Sequence, residues 1–261
     1  MNLEYWQKTA KSLSEDIFWN VPEQKTGTLA VVGGNSGSFS TEIKQTEFLN
    51  SINLKEVRLM LPDSLKTKVP PVPGITFAPS TESGSFKKSN ELKFILNDTD
   101  LTLLSGDFSK NSATAVAVID AIKKSSKPAV LVRDTIDLIA DSAEEIIEKD
   151  NLVFIATMAQ LQKLFRGLMY PKMILLSSPI LPIVETLHKF TLSYKVTILT
   201  FHQGQIIVAN NGNVITTPIE KTNYVPISLF TSELSAKIAA LNLWNPNKPL
   251  ESTHSALFWN P

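Results

Sequence analysis

Short apolar runs alternate with stretches of helical periodicity along most of this chain. The apolar runs are four to seven residues long, and they lie at residues 29–33, 56–61, 101–104, 128–134, 151–157 and 173–177. Between them, apolar side chains recur at helical spacing, most clearly at 40–52, 111–124, 158–168 and 183–194. This alternation predicts a parallel sheet with helices on both of its faces.

The pattern changes after residue 195. Three β runs follow at 196–201, 205–209 and 213–217, and the turn between the last two contains Asn210, Asn211 and Gly212. Such spacing is typical of an antiparallel meander. Helical stretches at 228–244 and 250–258 close the chain. We therefore expect an α/β fold whose mostly parallel sheet carries a late antiparallel meander at one edge.

Residues 62–89 are linker-like and contain five prolines. This stretch is either a surface connection or a lid over a site, because long structureless loops in compact domains are often functional. We expect one domain over residues 1–261, with residues 1–26 as an N-terminal extension packed on it. The tryptophans lie near the two chain ends, so the extension either packs beside the C-terminal helices or contributes to a subunit contact. They are Trp6, Trp19, Trp244 and Trp259.

The composition excludes several classes of function. Lys and Arg balance Asp and Glu at 25 each, which argues against nucleic acid or an anionic membrane as a partner. The absence of cysteine excludes disulfides, thiolate zinc sites and a cysteine nucleophile. The N-terminal residues lack a signal-peptide core, and the apolar runs are shorter than a membrane helix requires. We therefore expect a soluble, cytoplasmic protein, with homo-oligomerisation left open.

Two places in the pattern are candidates for ligand binding. The predicted turn after the first buried run contains Gly33, Gly34, Asn35, Ser36 and Gly37, and glycines at a strand-to-helix turn allow the backbone to approach a phosphate. The alternative is a plain tight turn.

Asp134 follows a central strand, at the edge where open α/β sheets bind ligands. Its alternative role is to cap the turn that follows. The three histidines, His188, His202 and His254, are too widely separated for a metal motif, and we predict no metal site built by the protein.

Three segments, at 24–37, 100–106 and 127–136, together with the order of elements, resemble the ribokinase-like superfamily. Within it, the chain is most similar to the ADP- or ATP-dependent NAD(P)H-hydrate dehydratases. The resemblance implies a three-layer αβα sandwich that binds ADP or ATP, with Mg²⁺ as a companion ion.

The chain departs from the motifs of that family. Where the family has Gly-Ser-Gly-Asp at a helix start, this chain has Phe230, Thr231, Ser232 and Glu233. A family His-x-x-Glu motif is missing from 156–160. Residues 231–233 also fit an N-capped helix that simply begins with an acid.

A family Lys-Gly is replaced by Thr200 and Phe201. Carried over residue by residue, the resemblance makes Glu233 and Asp134 the candidate catalytic residues. It makes Thr200, His202, Thr231 and Ser232, together with the turn 33–37, the candidate cofactor-binding residues.

Three functions remain open at this point. The first is a divergent NAD(P)H-hydrate dehydratase-like lyase that binds an adenine nucleotide or NAD(P)H-hydrate, with impaired or altered catalysis. The second is a non-catalytic ribokinase-like scaffold or sensor, a pseudoenzyme. The third is a sugar or vitamin kinase in which Glu233 replaces the catalytic aspartate, although an anion hole without glycines suits phosphoryl transfer poorly.

Overall fold

A computed structural model describes residues 3–13, 15–231 and 233–261. Within these ranges ten strands form one sheet. They are β1 (Trp6–Lys8), β2 (Thr28–Gly33), β3 (Glu56–Pro62), β4 (Ile75–Ala78), β5 (Leu101–Gly106), β6 (Ala129–Val132), β7 (Leu152–Ile155), β8 (Val196–His202), β9 (Gln205–Asn210) and β10 (Asn213–Pro218).

The strand order is β1-β10-β9-β8-β7-β6-β5-β2-β3-β4. The strands from β4 through to β8 pair in parallel, whereas β8, β9 and β10 form an antiparallel meander. β1 pairs in parallel with β10 and forms the outermost strand on that side. The predicted α/β fold class, with its meander near one edge, is confirmed. β6 and β7 are apolar throughout because helices cover both faces of the sheet at their position.

The described helices form the two outer layers. They are α1 (Asp16–Trp19), α2 (Ser40–Asn50), α3 (Asn90–Asp98), α4 (Ser112–Lys124), α5 (Asp134–Ile139), α6 (Ala143–Ile147), α7 (Met158–Gly167), α8 (Ile180–Ser193), α9 (Ser228–Thr231), α10 (Leu234–Trp244) and α11 (Pro249–Ser255). Side chains of α2, α10 and α11 pack on one face of the sheet, and those of α3 to α8 pack on the other. Two apolar cores therefore sandwich the strands.

Local sequence explains where several of these helices begin. Asn111 precedes α4, and its side chain accepts a hydrogen bond from the Thr114 amide at 2.8 Å. Lys123 and Lys124 lie in the last turn of α4, where cations interact favourably with the helix dipole. Thr157 and Gln160 form a capping box at the start of α7.

Three sequence-based predictions were wrong in part. Residues 173–177 form a loop rather than a strand, because β8 occupies the place beside β7. As a result Met173 and Leu176 are largely exposed. The predicted helix 228–244 is divided into α9 and α10. The linker-like stretch 62–89 contains β4, which forms an edge of the sheet.

The N-terminal extension contacts both the sheet and the C-terminal helices. Trp6 donates from its indole nitrogen to the Thr216 hydroxyl at 2.9 Å, and Asn20 donates to the Asn245 side chain at 2.8 Å. Trp244 and Trp259 meet edge to face. These contacts place the described part of the extension beside the C-terminal helices, although Trp19 is 78% exposed. None of the described helices combines the length and apolar character needed to cross a membrane.

Candidate functional site

The direction of the chain through the sheet reverses between β2 and β5. From β2 the chain proceeds to β3 and β4 on one side, and from β5 it proceeds to β6 and β7 on the other. Crossover connections that leave neighbouring strands in opposite directions open a crevice at the strands' carboxyl ends, which is where open α/β sheets bind ligands. We call this place the switch point; the segments after Gly33 and after Gly106 meet there.

Residues 34–38 form a tight turn at the switch point. The Gly34 amide donates to the Gly106 carbonyl at 2.9 Å, and Gly34 has φ +88°, a conformation that favours glycine. The amides of Asn35 and Ser38 bond each other's carbonyls, and the Gly37 amide donates to Asn35 Oδ1 at 2.8 Å.

The remaining amide of this turn is covered by a second segment, residues 79–88. The Ser36 amide donates to the Gly84 carbonyl at 2.9 Å, and the Ser64 hydroxyl donates to the same carbonyl at 3.0 Å. All five amides from 34 to 38 thus bond within the protein. In this conformation the turn offers none of these donors to a phosphate.

An ion pair ties the turn to the ends of β5 and β6. The Arg133 guanidinium donates to both carboxylate oxygens of Asp107. Asp107 also accepts from the Ser38 hydroxyl at 2.8 Å, and its carbonyl accepts from the Asn35 side chain at 2.5 Å. Glu42, on α2, is completely buried beneath this pair, and its Oε1 accepts from the Ser105 hydroxyl at 3.0 Å.

Two carboxyl groups at the switch point, those of Glu42 and Asp134, have raised pKa values. Burial raises the pKa of Glu42 to about 8, and the charge of Asp107 adds to this effect, while Ser105 and Arg133 oppose it. Burial and then the charge of Asp107 also raise the pKa of Asp134. Within the described residues, Glu42 Oε2 and Asp134 Oδ1 are buried without a hydrogen-bond partner.

The backbone is strained at the same place. Asp107, Ser109 and Arg133 have φ values of 56°, 60° and 59°, which side-chain-bearing residues rarely adopt. Such strain persists only where the surroundings fix the conformation, and it occurs preferentially at functional sites. Three strained residues at the ends of two neighbouring strands therefore mark the switch point as a candidate site.

A second group of predicted residues lines a pocket at the start of α10. This pocket has a volume of about 330 Å³, in the range of small-ligand sites. We call it the α10 pocket. Its lining residues are Thr41, Lys44, Gln45, Asn223, Tyr224, Thr231, Glu233, Lys237, Leu257 and Asn260.

The α10 pocket contains groups of both charges. Burial and the nearby Glu233 carboxylate raise the pKa of Tyr224 to about 12. Burial lowers the pKa of Lys237, whose ammonium donates to the Trp259 carbonyl at 2.9 Å. Gln45 donates to the Ser235 hydroxyl at 2.8 Å, and its Oε1 is buried with no partner among the residues described.

Phe230 and Glu233, two of the predicted residues before α10, differ in their surroundings. Phe230 is half-buried and packs against the core. The Glu233 carboxylate makes no capping hydrogen bond to the described part of α10. The prediction for Ser232 lies outside the described residues.

The remaining candidates lie at the end of β8, and β6 and β7 separate them from the switch point. His202 is almost buried, and its Nε2 lies 2.7 Å from the Ser178 carbonyl. Thr200 is buried, and its hydroxyl has no partner in the described part of the chain. The predicted residues therefore fall into three groups along one edge of the sheet. Asp134 belongs to the switch point, whereas Glu233 belongs to the α10 pocket.

Sequence analysis missed Glu42, Asp107 and Arg133. The periodic apolar positions of α2 predicted a buried face that includes Ile43 and Phe48, but both are only half-buried. The face that is buried carries three polar residues, Glu42, Gln45 and Thr46, together with Leu49. The helical spacing of these polar residues, in phase with Leu49, was the available signal.

The described residues do not build a metal site of their own. Within 3–13, 15–231 and 233–261, no three His, Asp or Glu side chains are grouped so that they could hold an ion. Magnesium that accompanies a nucleotide is commonly held by phosphates and only one or two carboxylates. Mg²⁺ as a companion of a nucleotide therefore remains a prediction.

No protein-family model and no curated protein sequence matches this chain. Among solved structures, a ribokinase-like superfamily protein from Enterococcus faecalis is similar over 99% of this chain and 87% of its own, with a TM-score of 0.68 and 13% identity. The chain has a ribokinase-like fold.

Two further structures share this ribokinase-like fold. Bacillus subtilis YxkO, of the UPF0031 family, matches with a TM-score of 0.59 and 11% identity over 96% of this chain and 87% of its own. The pyridoxal kinase of Staphylococcus aureus, in complex with AMP-PCP and pyridoxal, matches with a TM-score of 0.52 and 13% identity. That match covers 90% of this chain and 86% of the kinase. Identities of this size establish the fold alone.

Proposed function

We propose that this chain binds an adenine nucleotide at the carboxyl edge of its sheet, with the phosphates in the α10 pocket. Thr231 and Glu233, which the resemblance assigns to the site, line that pocket together with Lys44 and Lys237. This grouping supports the proposal more than any other observation. A structural neighbour, the Staphylococcus aureus pyridoxal kinase, is complexed with AMP-PCP.

The charges at the pocket suit the phosphate end of such a ligand. Lys44 and Lys237 bring two ammonium groups to the lining, and the positive end of the α10 dipole lies beside them. A volume of about 330 Å³ accommodates part of a nucleotide, so the base would extend along the edge towards β8, where His202 lies. Mg²⁺, when bound with the nucleotide, would neutralise phosphate charge next to Glu233.

We infer a lineage related to the NAD(P)H-hydrate dehydratases, with impaired or altered chemistry. The family's flexible glycine motif is replaced by a segment in which Phe230 packs on the core. Glu233 offers a carboxylate at the pocket, but on a longer side chain than aspartate. Catalytic groups must be placed within about 0.5 Å, so we expect slow turnover at best.

Two alternatives each have a specific observation in their favour. A small-molecule kinase is favoured by the likeness to a pyridoxal kinase that is complexed with AMP-PCP and pyridoxal. A non-catalytic scaffold or sensor is favoured by the turn 34–38, whose amides all bond within the protein.

Calorimetric titration with AMP-PCP and ADP, each with Mg²⁺, tests nucleotide binding. We expect the wild type to bind and Lys44→Ala to bind about tenfold more weakly, because the variant loses one phosphate-facing charge. Lys195→Ala is the matched control, since Lys195 lies at the amino end of β8 and is 85% exposed. Equal affinities in all three proteins would remove the α10 pocket from the proposal, and no binding at all would favour the scaffold.

Product analysis then separates the catalytic alternatives. A dehydratase regenerates NADH from hydrated NADH, which is followed by NADH absorbance in the presence of ADP or ATP. A kinase consumes ATP and forms a phosphorylated small molecule, which is followed by ADP release with sugars and vitamins as substrates. Nucleotide binding without either product would identify a sensor.

A further inference from the structure

Glu42 is a buried acid that neither the resemblance nor the proposed function uses. Its side chain is completely buried against the backbone at the end of β2, where a Cβ on Gly33 would lie 2.9 Å from its Oε1. Oε1 accepts from Ser105, but Oε2 has no partner in the described residues. A carboxylate in such a place is costly, whereas a neutral carboxyl is far less so.

The charged groups around Glu42 come from several elements. Asp107, after β5, raises its pKa, and Arg133, at the end of β6, lowers it. Asp134 lies next to that pair.

Charged groups on the other elements packed against α2 face elsewhere. On α10, Glu233 and Lys237 line the α10 pocket on the outer side of α2, as does Lys44 of α2 itself. On β3, Arg58 pairs with Glu56 and Asp98, and Asp63, after β3, accepts from Ser80. Among the described residues, the charges that act directly on Glu42 are therefore those of Arg133 and Asp107.

Arg133 lies between two carboxyl groups. Its Nη1 is 2.9 Å from Asp107 Oδ2 and 4.0 Å from Glu42 Oε1. A small rotation of the guanidinium would exchange one partner for the other. With a proton on Glu42, this side chain carries no charge that could draw Arg133 away from Asp107. Without the proton, the carboxylates of Glu42 and Asp107 compete for the same guanidinium.

We propose that Glu42 is a proton-carrying positioning residue of the switch point. While it keeps its proton, Arg133 stays paired with Asp107 and the turn 34–38 is held in place. When it loses the proton, Arg133 is drawn towards Glu42, and the hold on Asp107 weakens.

Loss of the Arg133–Asp107 pair would also loosen the segments that are hydrogen-bonded to Asp107. Asp107 is held to the turn through the Ser38 hydroxyl and the Asn35 side chain. The turn 34–38 also holds the segment 79–88, because the Ser36 amide donates a hydrogen bond to the Gly84 carbonyl. The proton on Glu42 therefore controls how firmly that segment covers the turn 34–38, and the helix that carries Glu42 also carries Lys44 of the α10 pocket.

The sign of the pH dependence follows from the raised pKa. An acid with a pKa of about 8 in the folded chain and an ordinary value of 4.5 when unfolded binds more protons in the folded state between these two values. Stability then falls as the pH rises through this window, with an unfolding constant that grows by up to about tenfold per pH unit. His254 has the opposite effect below neutral pH, because burial lowers its pKa to about 4.

Urea unfolding from pH 5.0 to 9.0, followed by tryptophan fluorescence, tests the proposal in three proteins without any ligand. Glu42→Gln mimics the protonated side chain, and Glu47→Gln, an exposed residue on the same helix, is the matched control. The ratio of unfolding constants, wild type to Glu42→Gln, should rise at least about a hundredfold between pH 5 and pH 8. His254 is common to both proteins and cancels in this ratio. A ratio that stays constant with pH, or an equal change in Glu47→Gln, overturns the proposal.

A second variant keeps the test decisive if Glu42→Gln does not fold. Asp107→Asn removes the charge that raises the pKa of Glu42 and leaves Arg133 able to pair with Glu42. The pH at which stability begins to level off should therefore move down by at least one unit relative to wild type. An unchanged profile shows that Asp107 and Arg133 do not govern the Glu42 proton, which contradicts the proposal.

Hydrogen exchange at the Ser36 amide provides a readout that a merely structural role would not change. This amide should exchange faster at pH 9 than the chemical pH dependence predicts in the wild type, but not in Glu42→Gln. Exchange that follows the chemical rate in both proteins would contradict the coupling.

The effect of the Glu42 proton on ligand affinity rests on the proposed function. AMP-PCP affinity should depend on pH in the wild type and much less in Glu42→Gln. If AMP-PCP fails to bind at every pH, the proposed function fails while the unfolding profiles still decide the role of Glu42.

Discussion

The switch point and the α10 pocket lie at the same edge of the sheet but are built in opposite ways. At the switch point, Arg133, Asp107 and the turn 34–38 are bonded to one another, and strained backbone is held by that network. The α10 pocket is an open space of about 330 Å³, bordered by lysines and by Glu233. Open volume with partly exposed charges suits ligand binding, whereas a closed network suits control of position.

The difference separates the two candidate sites by whether their polar groups are already bonded within the protein. The glycine turn 34–38 is the most visible candidate in the sequence. Its amides already donate hydrogen bonds to protein carbonyls and to the Asn35 side chain. The less conspicuous start of α10 retains space and charge. A substitution at the switch point should therefore affect stability first, and one in the α10 pocket should affect ligand binding first.

The largest expected effect comes from Gly33→Ala. A Cβ there would lie 2.5 Å from the Gly106 carbonyl oxygen and 2.9 Å from Glu42 Oε1, so the switch point would have to open. We expect a loss of about 3 kcal/mol in the free energy of unfolding, measured in urea. Gly37→Ala is the matched control in the same turn, with its nearest neighbour at 3.4 Å. Equal losses in both variants would show that the close packing at Gly33 is not the cause.

A smaller effect is expected from Arg133→Met. This change leaves Asp107, whose side chain is 12% exposed, without its cation. We expect a loss of about 2 kcal/mol in the free energy of unfolding at pH 7. Arg58→Met, which breaks a more exposed pair with Glu56, should cost at most about 1 kcal/mol. If the two variants lose the same amount, the contrast between buried network and open surface does not hold.

The smallest effect on stability is expected from Glu233→Gln in the α10 pocket. The free energy of unfolding should stay within about 0.5 kcal/mol of wild type, while any turnover should fall at least about a hundredfold. The charge of Glu233 helps to raise the pKa of Tyr224, so that pKa should fall in the variant. Ultraviolet titration of the tyrosines measures it, and an unchanged profile would place Glu233 away from Tyr224.

Much of the sheet could be predicted from the sequence, because its central strands are buried on both faces. β6 and β7 consist of apolar residues throughout and end where polar residues begin. The same rule failed at 173–177, where an apolar run lies outside the sheet. β1 and β4 were missed because they lie at the borders of the sheet and are largely not buried, so neither forms a buried apolar run.

The site was predictable only in outline. The turn 33–37 and Asp134 could be predicted as candidates because the ends of the apolar runs that form β2 and β6 are visible in the sequence. Nothing local shows that the amides of the turn are already bonded, or that Glu42 faces inward. Both depend on which segments fold over β2, and the partner residues are up to 91 positions away, as Arg133 is from Glu42.

The two outermost strands have a consequence for how this molecule meets others of its kind. β1 has three residues and β4 has four, and Pro73 and Pro79 stand close to either end of β4. A foreign strand laid against either border would gain few backbone hydrogen bonds before the pairing stopped. A wide sheet is thereby kept from templating its own growth into fibres.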